Sequence, residues 1–288
     1  MNLFNYILVF LALNLGSCST TDEVTQEEPQ QTLPETIERN VSYGESNQQA
    51  YDMYLPSGRN DRDTKTIVII HGGSWISGDK ADLKGYVSLM QSAFPEHAII
   101  NMNYRLANGS FIPAFPNQIN DVDAVLQQLK DRKQELQING EFALMGLSAG
   151  AHLATLYDYK YDDDDQVKAV VNIVGPVDFT DPFYTSNSGF QFLLSNLIDA
   201  SEFPAGIDPA VAVSPALQVN ENSSPTINFY GNRDTLVALS QLTSLENALT
   251  ENNIPFESTI YDGGHGNWSQ EQYADLQIKV KAFIEQYL

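Results

Sequence analysis

Residues 142–150 have the sequence FALMGLSAG, in which an apolar run leads directly into the pattern G-x-S-x-G around Ser148. This pattern is typical of a nucleophile elbow, a sharp turn between a strand and a helix that presents a serine hydroxyl. Because a serine hydroxyl is a weak nucleophile at neutral pH, it needs a histidine that takes its proton. A glycine-rich turn between a strand and a helix can have the same pattern without any catalytic role. The assignment of Ser148 as a nucleophile therefore depends on the rest of the chain.

A second glycine-rich turn, HGGSW at residues 71–75, follows the β-branched apolar run of residues 66–70. Such a run favours a strand that is buried on both faces. The turn is therefore predicted at the carboxyl end of a strand, where ligands bind in open α/β sheets. We expect the backbone N–H groups of Gly73, Ser74 and Ala149 to form an oxyanion hole. Trp75, beside the turn, is a candidate substrate-binding residue, with ordinary core packing as the alternative.

An acid and a histidine follow in the chain order that an elbow serine requires. Asp234 comes after the strand-like residues 226–229, and His265 comes after the strand-like residues 256–261. Asp178 also ends a predicted strand and is the competing candidate for the acid, although it lies one strand too early. The other three histidines precede the position expected of the base. The sequence thus predicts a catalytic triad of Ser148, Asp234 and His265.

The chain resembles the α/β-hydrolase superfamily at these four places, each in the right order and at a predicted strand end. More narrowly, it is similar to the esterase and lipase branch with HGG-type turns, which includes bacterial feruloyl- and acetylxylan-esterase-like proteins. The segments NYRL at residues 103–106 and FPNQINDV at residues 115–122 add to the resemblance, which covers about residues 40–288. One departure is Ser74, where many relatives have a third glycine. Because the hole uses backbone N–H groups, a serine there need not remove activity.

The resemblance implies a serine hydrolase that cleaves carboxylic esters with short or medium acyl groups, including acetyl or feruloyl groups on carbohydrate. The predicted substrate is therefore a small-molecule or carbohydrate ester. Two other classes remain open at this stage. A serine peptidase of the prolyl-oligopeptidase type has the same triad order, but the chain is too short for the additional propeller. A catalytically inactive surface binding protein with this fold would have a broken triad.

Strand-like and helix-like segments alternate along the chain, which predicts an α/β fold with a mostly parallel twisted sheet and helices on both faces. An antiparallel pair at residues 37–43 and 51–56 is expected at the sheet edge. The remaining strands are predicted at residues 66–70, 98–102, 142–146, 168–174, 226–230 and 256–261. Apolar residues at helical spacing predict helices around residues 119–129, 239–249 and 276–284. Residues 179–215 read as an aromatic-rich insertion over the active site, either a pocket wall or ordinary helix packing.

Composition excludes several other functions. The 288-residue chain has a net charge of −22, with 15 Lys and Arg against 37 acidic residues, which argues against a nucleic-acid partner. It contains no HExxH, C-x-x-C or P-loop pattern, so no cofactor and no metal is predicted. The run of four aspartates at residues 162–165 lacks the spacing of a calcium loop and reads as a solvated acidic loop. No pattern indicates an oligomeric state.

The N-terminal segment predicts export. Residues 1–17 read as a lipoprotein signal peptide, and LGSC at residues 15–18 resembles a bacterial lipobox, in which Cys18 would be lipidated. Residues 18–36 have too few apolar side chains to pack and read as a disordered tether before a catalytic domain at residues 37–288. The expected protein is an exported bacterial lipoprotein, periplasmic or anchored at the outer membrane or cell surface, whose only membrane contact is the lipid on Cys18. The absence of Lys or Arg before Cys18 departs from the usual pattern, and the alternative is a free cysteine after a weak signal anchor.

Overall fold

The computed structural model describes residues 32–108 and 112–288. Within these two stretches the chain forms one eight-stranded sheet with the order β1-β2-β4-β3-β5-β6-β7-β8. The strands are β1 (Thr36–Ser42), β2 (Ala50–Leu55), β3 (Thr66–Ile70), β4 (Ala98–Met102), β5 (Phe142–Leu147), β6 (Val167–Ile173), β7 (Thr226–Gly231) and β8 (Phe256–Tyr261). The β1–β2 and β2–β4 pairs are antiparallel and the other pairs are parallel. The predicted mostly parallel sheet with an antiparallel edge pair is confirmed.

The α-helices of the described residues are α1 (Lys84–Ala93), α2 (Asn117–Asp131), α3 (Lys133–Leu136), α4 (Ala149–Tyr161), α5 (Pro182–Thr185), α6 (Ser188–Leu197), α7 (Pro209–Ala212), α8 (Leu239–Glu251) and α9 (Gln270–Tyr287). Short 3₁₀ segments cover Lys80–Leu83, Ala200–Glu202 and Pro215–Leu217. The last helix starts earlier than its apolar spacing predicts, because Ser269 and Gln272 form a capping box at its N-terminus. None of the helices in the described part of the chain is long and apolar enough to cross a membrane.

Alternate residues of the central strands point to opposite faces of the sheet, which gives two cores. Val68 and Ile70 of β3 belong to a core that includes side chains of α2 and α4. Ile67 and Ile69 of the same strand belong to a core that includes side chains of α1 and α9. A continuous β-branched run is therefore buried on both sides, as expected for a central parallel strand. Helices packed on both faces of the sheet hold the carboxyl ends of its parallel strands in fixed positions.

The first residues that the structure describes contact the loop after β2. The N–H of Gly58 donates to the carbonyl oxygen of Leu33 at 2.8 Å, and the guanidinium of Arg59 donates to the carbonyl of Pro34. These contacts attach residues that the sequence analysis assigned to the tether. The predicted signal peptide, Cys18 and the greater part of the tether lie outside the described residues.

Candidate active site

Ser148 occupies the turn between β5 and α4 and has a φ of 53°, in the left-handed region. Its N–H donates to the carbonyl oxygen of Ile173 at 2.8 Å, which ties the turn to the neighbouring strand β6. A Cβ atom on Gly150 would lie 2.2 Å from the carbonyl oxygen of Ile70, so no larger residue fits there. The small residues of the G-x-S-x-G pattern are thus required by close backbone approach, and the strained turn exposes the serine hydroxyl.

The structure brings Ser148, His265 and Asp234 into one hydrogen-bonded chain. The Nε2 atom of His265 lies 2.8 Å from the Oγ atom of Ser148, and its Nδ1 atom lies 2.6 Å from Oδ2 of Asp234. The Asp234 side chain is fully buried, whereas the His265 side chain keeps 23% of its surface exposed. This is the geometry of a serine nucleophile, a base that can take its proton and a carboxylate that orients the base.

Asp234 is held in its ionised form by the groups around it. Burial opposes ionisation, but the hydrogen bond from His265 and those from the N–H groups of Val237 and Leu236 outweigh it and lower the pKa of Asp234. The N–H groups of Leu236 and Val237 donate to Oδ1 at 2.8 and 3.0 Å, which leaves Oδ2 to the histidine. A fixed negative charge therefore faces Nδ1 and favours the tautomer that leaves Nε2 as the acceptor.

The competing acid, Asp178, is engaged elsewhere. Its Oδ1 accepts hydrogen bonds from the N–H and the hydroxyl of Thr180, at 2.9 and 2.6 Å, and its Oδ2 accepts from the hydroxyl of Ser244 at 2.8 Å. Both carboxylate oxygens thus stabilise the loop after β6 and its contact with α8. The histidine contacts Asp234 instead, as the chain order predicts.

The glycine-rich turn lies against the elbow. A Cβ atom on Gly72 would be 2.9 Å from the carbonyl oxygen of Leu147 and 3.1 Å from Cβ of Ser148. Gly73 and Ser74 have φ angles of 120° and 52°, so two successive residues have positive φ angles, which residues other than glycine rarely adopt. The N–H groups of Gly73, Ser74 and Ala149 donate no hydrogen bond to any residue that the structure describes. Free backbone donors beside a nucleophilic hydroxyl are what an oxyanion hole requires, and Gly73 lines the same cavity as Ser148.

A cavity of about 480 Å³ opens beside Ser148 and His265. Apolar side chains of Leu147, Ile173 and Val174 line it together with the glycine-rich turn. Three further lining residues, Asp82, Tyr86 and Tyr273, have no motif in the sequence that singles them out.

Trp75 does not belong to the lining of this cavity among the described residues. It is 3% exposed and makes edge contacts with the rings of Phe115, His152 and Phe179. The structure thus favours the core-packing alternative over the predicted substrate contact. His152 shares this core. Complete burial lowers its pKa to about 4, and its Nε2 lies 2.8 Å from the carbonyl oxygen of Val213.

No group of three or more His, Cys, Asp or Glu side chains in residues 32–108 and 112–288 is arranged to hold a metal ion. A serine, a histidine and an aspartate at the carboxyl ends of three parallel strands, beside a glycine-rich turn, define an α/β hydrolase. The family model BD-FAE matches residues 51–249, and the chain belongs to this family.

Two curated proteins are similar to this chain in sequence. The chain is 24% identical over 218 residues to "Esterase LipC" of Mycobacterium tuberculosis, covering 72% of this chain and 53% of that protein. It is 26% identical over 206 residues to "Kynurenine formamidase" of Danio rerio, covering 64% of this chain and 63% of that protein. The chain thus spans between about half and two thirds of the length of the curated relatives it matches.

The fold also matches a solved structure described as a "truncated form of carbohydrate esterase from gut microbiota". The TM-score is 0.71, with 22% identity, 90% of this chain and 98% of that chain covered. At this level of identity the match establishes the shared fold.

Proposed function

We propose that this protein is a carboxylesterase that acts through an acyl-enzyme on Ser148. The observation that carries the proposal is the hydrogen-bonded chain from Ser148 through His265 to Asp234, with distances of 2.8 and 2.6 Å. The free backbone N–H groups of the glycine-rich turn and of Ala149 support acyl transfer in particular. The matched esterase LipC and the carbohydrate esterase structure carry ester hydrolysis in their names.

The reaction follows from the positions of the groups. The Oγ atom of Ser148 attacks the ester carbonyl carbon while Nε2 of His265 takes its proton. The resulting oxyanion receives hydrogen bonds from the N–H groups of Gly73, Ser74 and Ala149. The imidazolium, stabilised by Asp234, then protonates the departing alcohol and leaves an acyl-enzyme. Water attacks this ester by the same steps and releases the acid.

The proposed substrates are esters with short or medium acyl groups, including acetyl or feruloyl esters of carbohydrate. The cavity of about 480 Å³ beside Ser148 supports this size class. A carbohydrate alcohol is supported by the family and by the name of the matched carbohydrate esterase. The second candidate function is that of a serine peptidase, which uses the same triad geometry.

The first test is hydrolysis of 4-nitrophenyl acetate and 4-nitrophenyl decanoate by the full chain and its Ser148→Ala variant. Turnover that disappears in the variant is expected, with acetate preferred. A variant with most of the activity would overturn the role of Ser148. Turnover of neither ester, combined with serine-dependent cleavage of a peptide substrate, would replace the esterase with a peptidase. A folded protein whose Ser148 is not labelled by a fluorophosphonate would instead be an inactive binding protein.

We also propose that the protein is an exported bacterial lipoprotein anchored by a lipid on Cys18. The support is the sequence alone, namely the apolar stretch of residues 1–15 and the LGSC pattern at residues 15–18. Expression in a bacterium fed a radiolabelled fatty acid tests this directly. Label is expected in the parent chain and absent in Cys18→Ser, and an unlabelled parent chain would remove the anchor from the proposal.

A further inference from the structure

A second cavity has a volume of about 550 Å³ and is lined in part by the segment that follows the glycine-rich turn. The 3₁₀ segment Lys80–Leu83 and helix α1 contribute to both cavities. Asp82 and Tyr86 line the cavity beside Ser148, whereas Lys80 and Lys84 line the second one. A volume of this size lies within the usual range of small-molecule sites, about 300–1,000 Å³.

The second cavity is positively charged in a strongly acidic protein. Among the residues that the structure describes, Arg39, Lys80 and Lys84 line it together with one carboxylate, that of Asp52. The whole chain has only 15 basic residues and 37 acidic ones, so a cluster of three basic side chains is not expected from the composition. The lining has an excess of two positive charges, which attracts an anion.

The Asp52 carboxylate acts as the fixed centre of this wall. It accepts hydrogen bonds from Nζ of Lys80 at 2.7 Å, from Nη1 of Arg39 at 2.9 Å and from the N–H of Asn40 at 3.0 Å. Burial opposes its ionisation, but these three donors outweigh burial and lower the pKa of Asp52. The Lys80 and Asp52 side chains are only 10% and 11% exposed. The buried pair is therefore charge-balanced and holds the wall in place.

The other two cations keep donors free for a ligand. Arg39 bonds Asp52 through Nη1 alone, lies over the Tyr54 ring at 4.4 Å and is 51% exposed. Its Nε and Nη2 donate to no described residue. Lys84 is exposed and forms no ion pair with any residue in the described ranges. A planar guanidinium with free N–H groups and a mobile ammonium are suited to a carboxylate or a phosphate.

One buried acceptor on the same wall indicates a ligand with hydroxyl groups. Asn101 is 1% exposed and lines the cavity, and its Nδ2 donates to the carbonyl of Lys80 at 2.8 Å. Its Oδ1 has no hydrogen-bond partner among the described residues. A buried amide oxygen without a donor is unfavourable, and a small movement of the cavity wall would let a ligand hydroxyl donate to it. Ser88 and Gln91 add further polar groups to the lining.

We propose that this cavity binds a hydroxylated anion, namely a sugar that carries a carboxylate or a phosphate. Arg39 and Lys84 hold the anionic group, and the Asn101 side of the cavity accepts hydroxyl hydrogen bonds. The site is separate from Ser148 and does not depend on ester hydrolysis, so binding and catalysis can fail independently.

Calorimetric titration of the full chain with four probes tests the proposal. D-glucuronate and glucose 6-phosphate are expected to bind, with glucose at least about tenfold weaker and with affinity that falls as salt rises. Whichever anionic sugar binds more tightly identifies the anionic group, and either result supports the proposal. If inorganic phosphate and glucose 6-phosphate bound equally, the ligand would not be a sugar. If the anionic sugars bound no more tightly than glucose, the cavity would not be an anion-binding site.

Two variants assign the binding to this cavity. Lys84→Gln and Arg39→Gln should each weaken binding by about threefold to tenfold, since each removes one charged contact. Lys84 has no described ion pair to lose, so its variant keeps the test valid even if Arg39→Gln unfolds. Lys133→Gln, an exposed lysine on α3, makes the same charge change elsewhere and should bind like the parent chain. Ser148→Ala should also bind normally, and equal affinity of Lys84→Gln and Lys133→Gln would overturn the assignment.

Discussion

The Nε2 atom of His265 lies 2.8 Å from the hydroxyl oxygen of Ser148, although 117 positions separate the two residues in the chain. They meet because β5 and β8 are parallel and therefore end at the same edge of the sheet. The loops after β7 and β8 are joined as well. The N–H of Arg233 donates to the carbonyl of Gly263 at 2.8 Å, and the N–H of Gly263 donates to Oδ1 of Asn232 at 3.1 Å. Two hydrogen bonds thus join the loop that carries the acid to the loop that carries the base.

Asp234→Asn should remove most of the activity. An amide at this position loses the negative charge that orients His265 and stabilises its cation, so kcat should fall by about 10⁴-fold. Because the pKa of Asp234 is already lowered in the native protein, no acidic limb of the pH–rate profile between pH 5 and 8 should come from this group. Steady-state hydrolysis of 4-nitrophenyl acetate measures both effects.

Asp178→Asn is the matched control for that experiment. Its carboxylate accepts from Thr180 and Ser244 and not from the histidine. The variant should lose some stability but keep kcat within about tenfold of the parent chain. A greater loss of kcat in Asp178→Asn than in Asp234→Asn would transfer the role of the acid to Asp178.

Ser74→Gly should leave the esterase activity nearly unchanged. The side chain of Ser74 is exposed, and the proposed donor is its backbone N–H, which glycine retains. Glycine also accepts the φ of 52° without strain. Gly73→Ala is the contrasting variant, because its Cβ would lie 2.0 Å from the carbonyl oxygen of Ser77.

Displacement of the Gly73 turn should lower kcat by about 10²–10³-fold, the usual effect of losing one oxyanion donor. Comparison of kcat for the two variants decides whether backbone position or side chain matters at this turn. A large loss in Ser74→Gly would mean that the hydroxyl itself takes part.

Asp82 should make the enzyme discriminate against negatively charged esters. Its Oδ2 accepts the N–H of Asp79 at 3.0 Å, while Oδ1 has no partner among the described residues and the side chain lines the cavity beside Ser148. No Lys or Arg lines this cavity within the described ranges. Asp82→Asn should therefore raise kcat/KM for 4-nitrophenyl hemisuccinate relative to 4-nitrophenyl acetate by about twofold to fivefold.

Added salt should reduce the same discrimination in the parent chain, because it screens the exposed carboxylate. Asp61 is exposed and does not line this cavity. Asp61→Asn gives the same change in net charge and should leave the ratio of the two kcat/KM values unaltered. A ratio that responds equally to both variants would reflect the overall charge of the protein and not this carboxylate.

The sequence predicted the strands β3–β8 to within one residue, because buried parallel strands are short apolar runs with turn residues at both ends. The triad geometry followed from chain order and strand ends. The burial of Trp75 did not follow from the chain order. Ser74 and Trp75 both have positive φ angles, which no local pattern predicts, and with this backbone the indole lies in the core. Tyr86 and Tyr273 were missed for a related reason. They reach the cavity from two helices whose rotation about their axes depends on packing that no local pattern encodes.

A buried carboxylate far from the site gives a prediction about stability. Asp158 is 6% exposed, its Oδ2 accepts from the N–H of Ser224 at 2.9 Å, and its Oδ1 lies 2.7 Å from the hydroxyl oxygen of Ser224. The same hydroxyl also lies 2.8 Å from the carbonyl oxygen of Val167. One hydroxyl proton cannot serve both acceptors, so the network is complete when Asp158 carries a proton and donates to Ser224. Burial raises the pKa of Asp158 from 3.8 to about 7, although the hydrogen bonds from Ser224 oppose the change.

Between pH 4 and 7 the folded protein therefore binds a proton at Asp158 that the unfolded chain releases, so this residue's contribution to the free energy of unfolding falls as the pH rises through that range. Asp158→Asn keeps the shape and supplies the same donor without a titration. At pH 8 the variant should be more stable than the parent chain by about 1–3 kcal/mol, and the difference should shrink toward pH 5. Urea unfolding at both pH values measures this. The exposed Asp163→Asn variant, with the same charge change in the neighbouring loop, should show no such dependence; identical pH profiles for the two variants would mean that Asp158 is ionised in the folded protein.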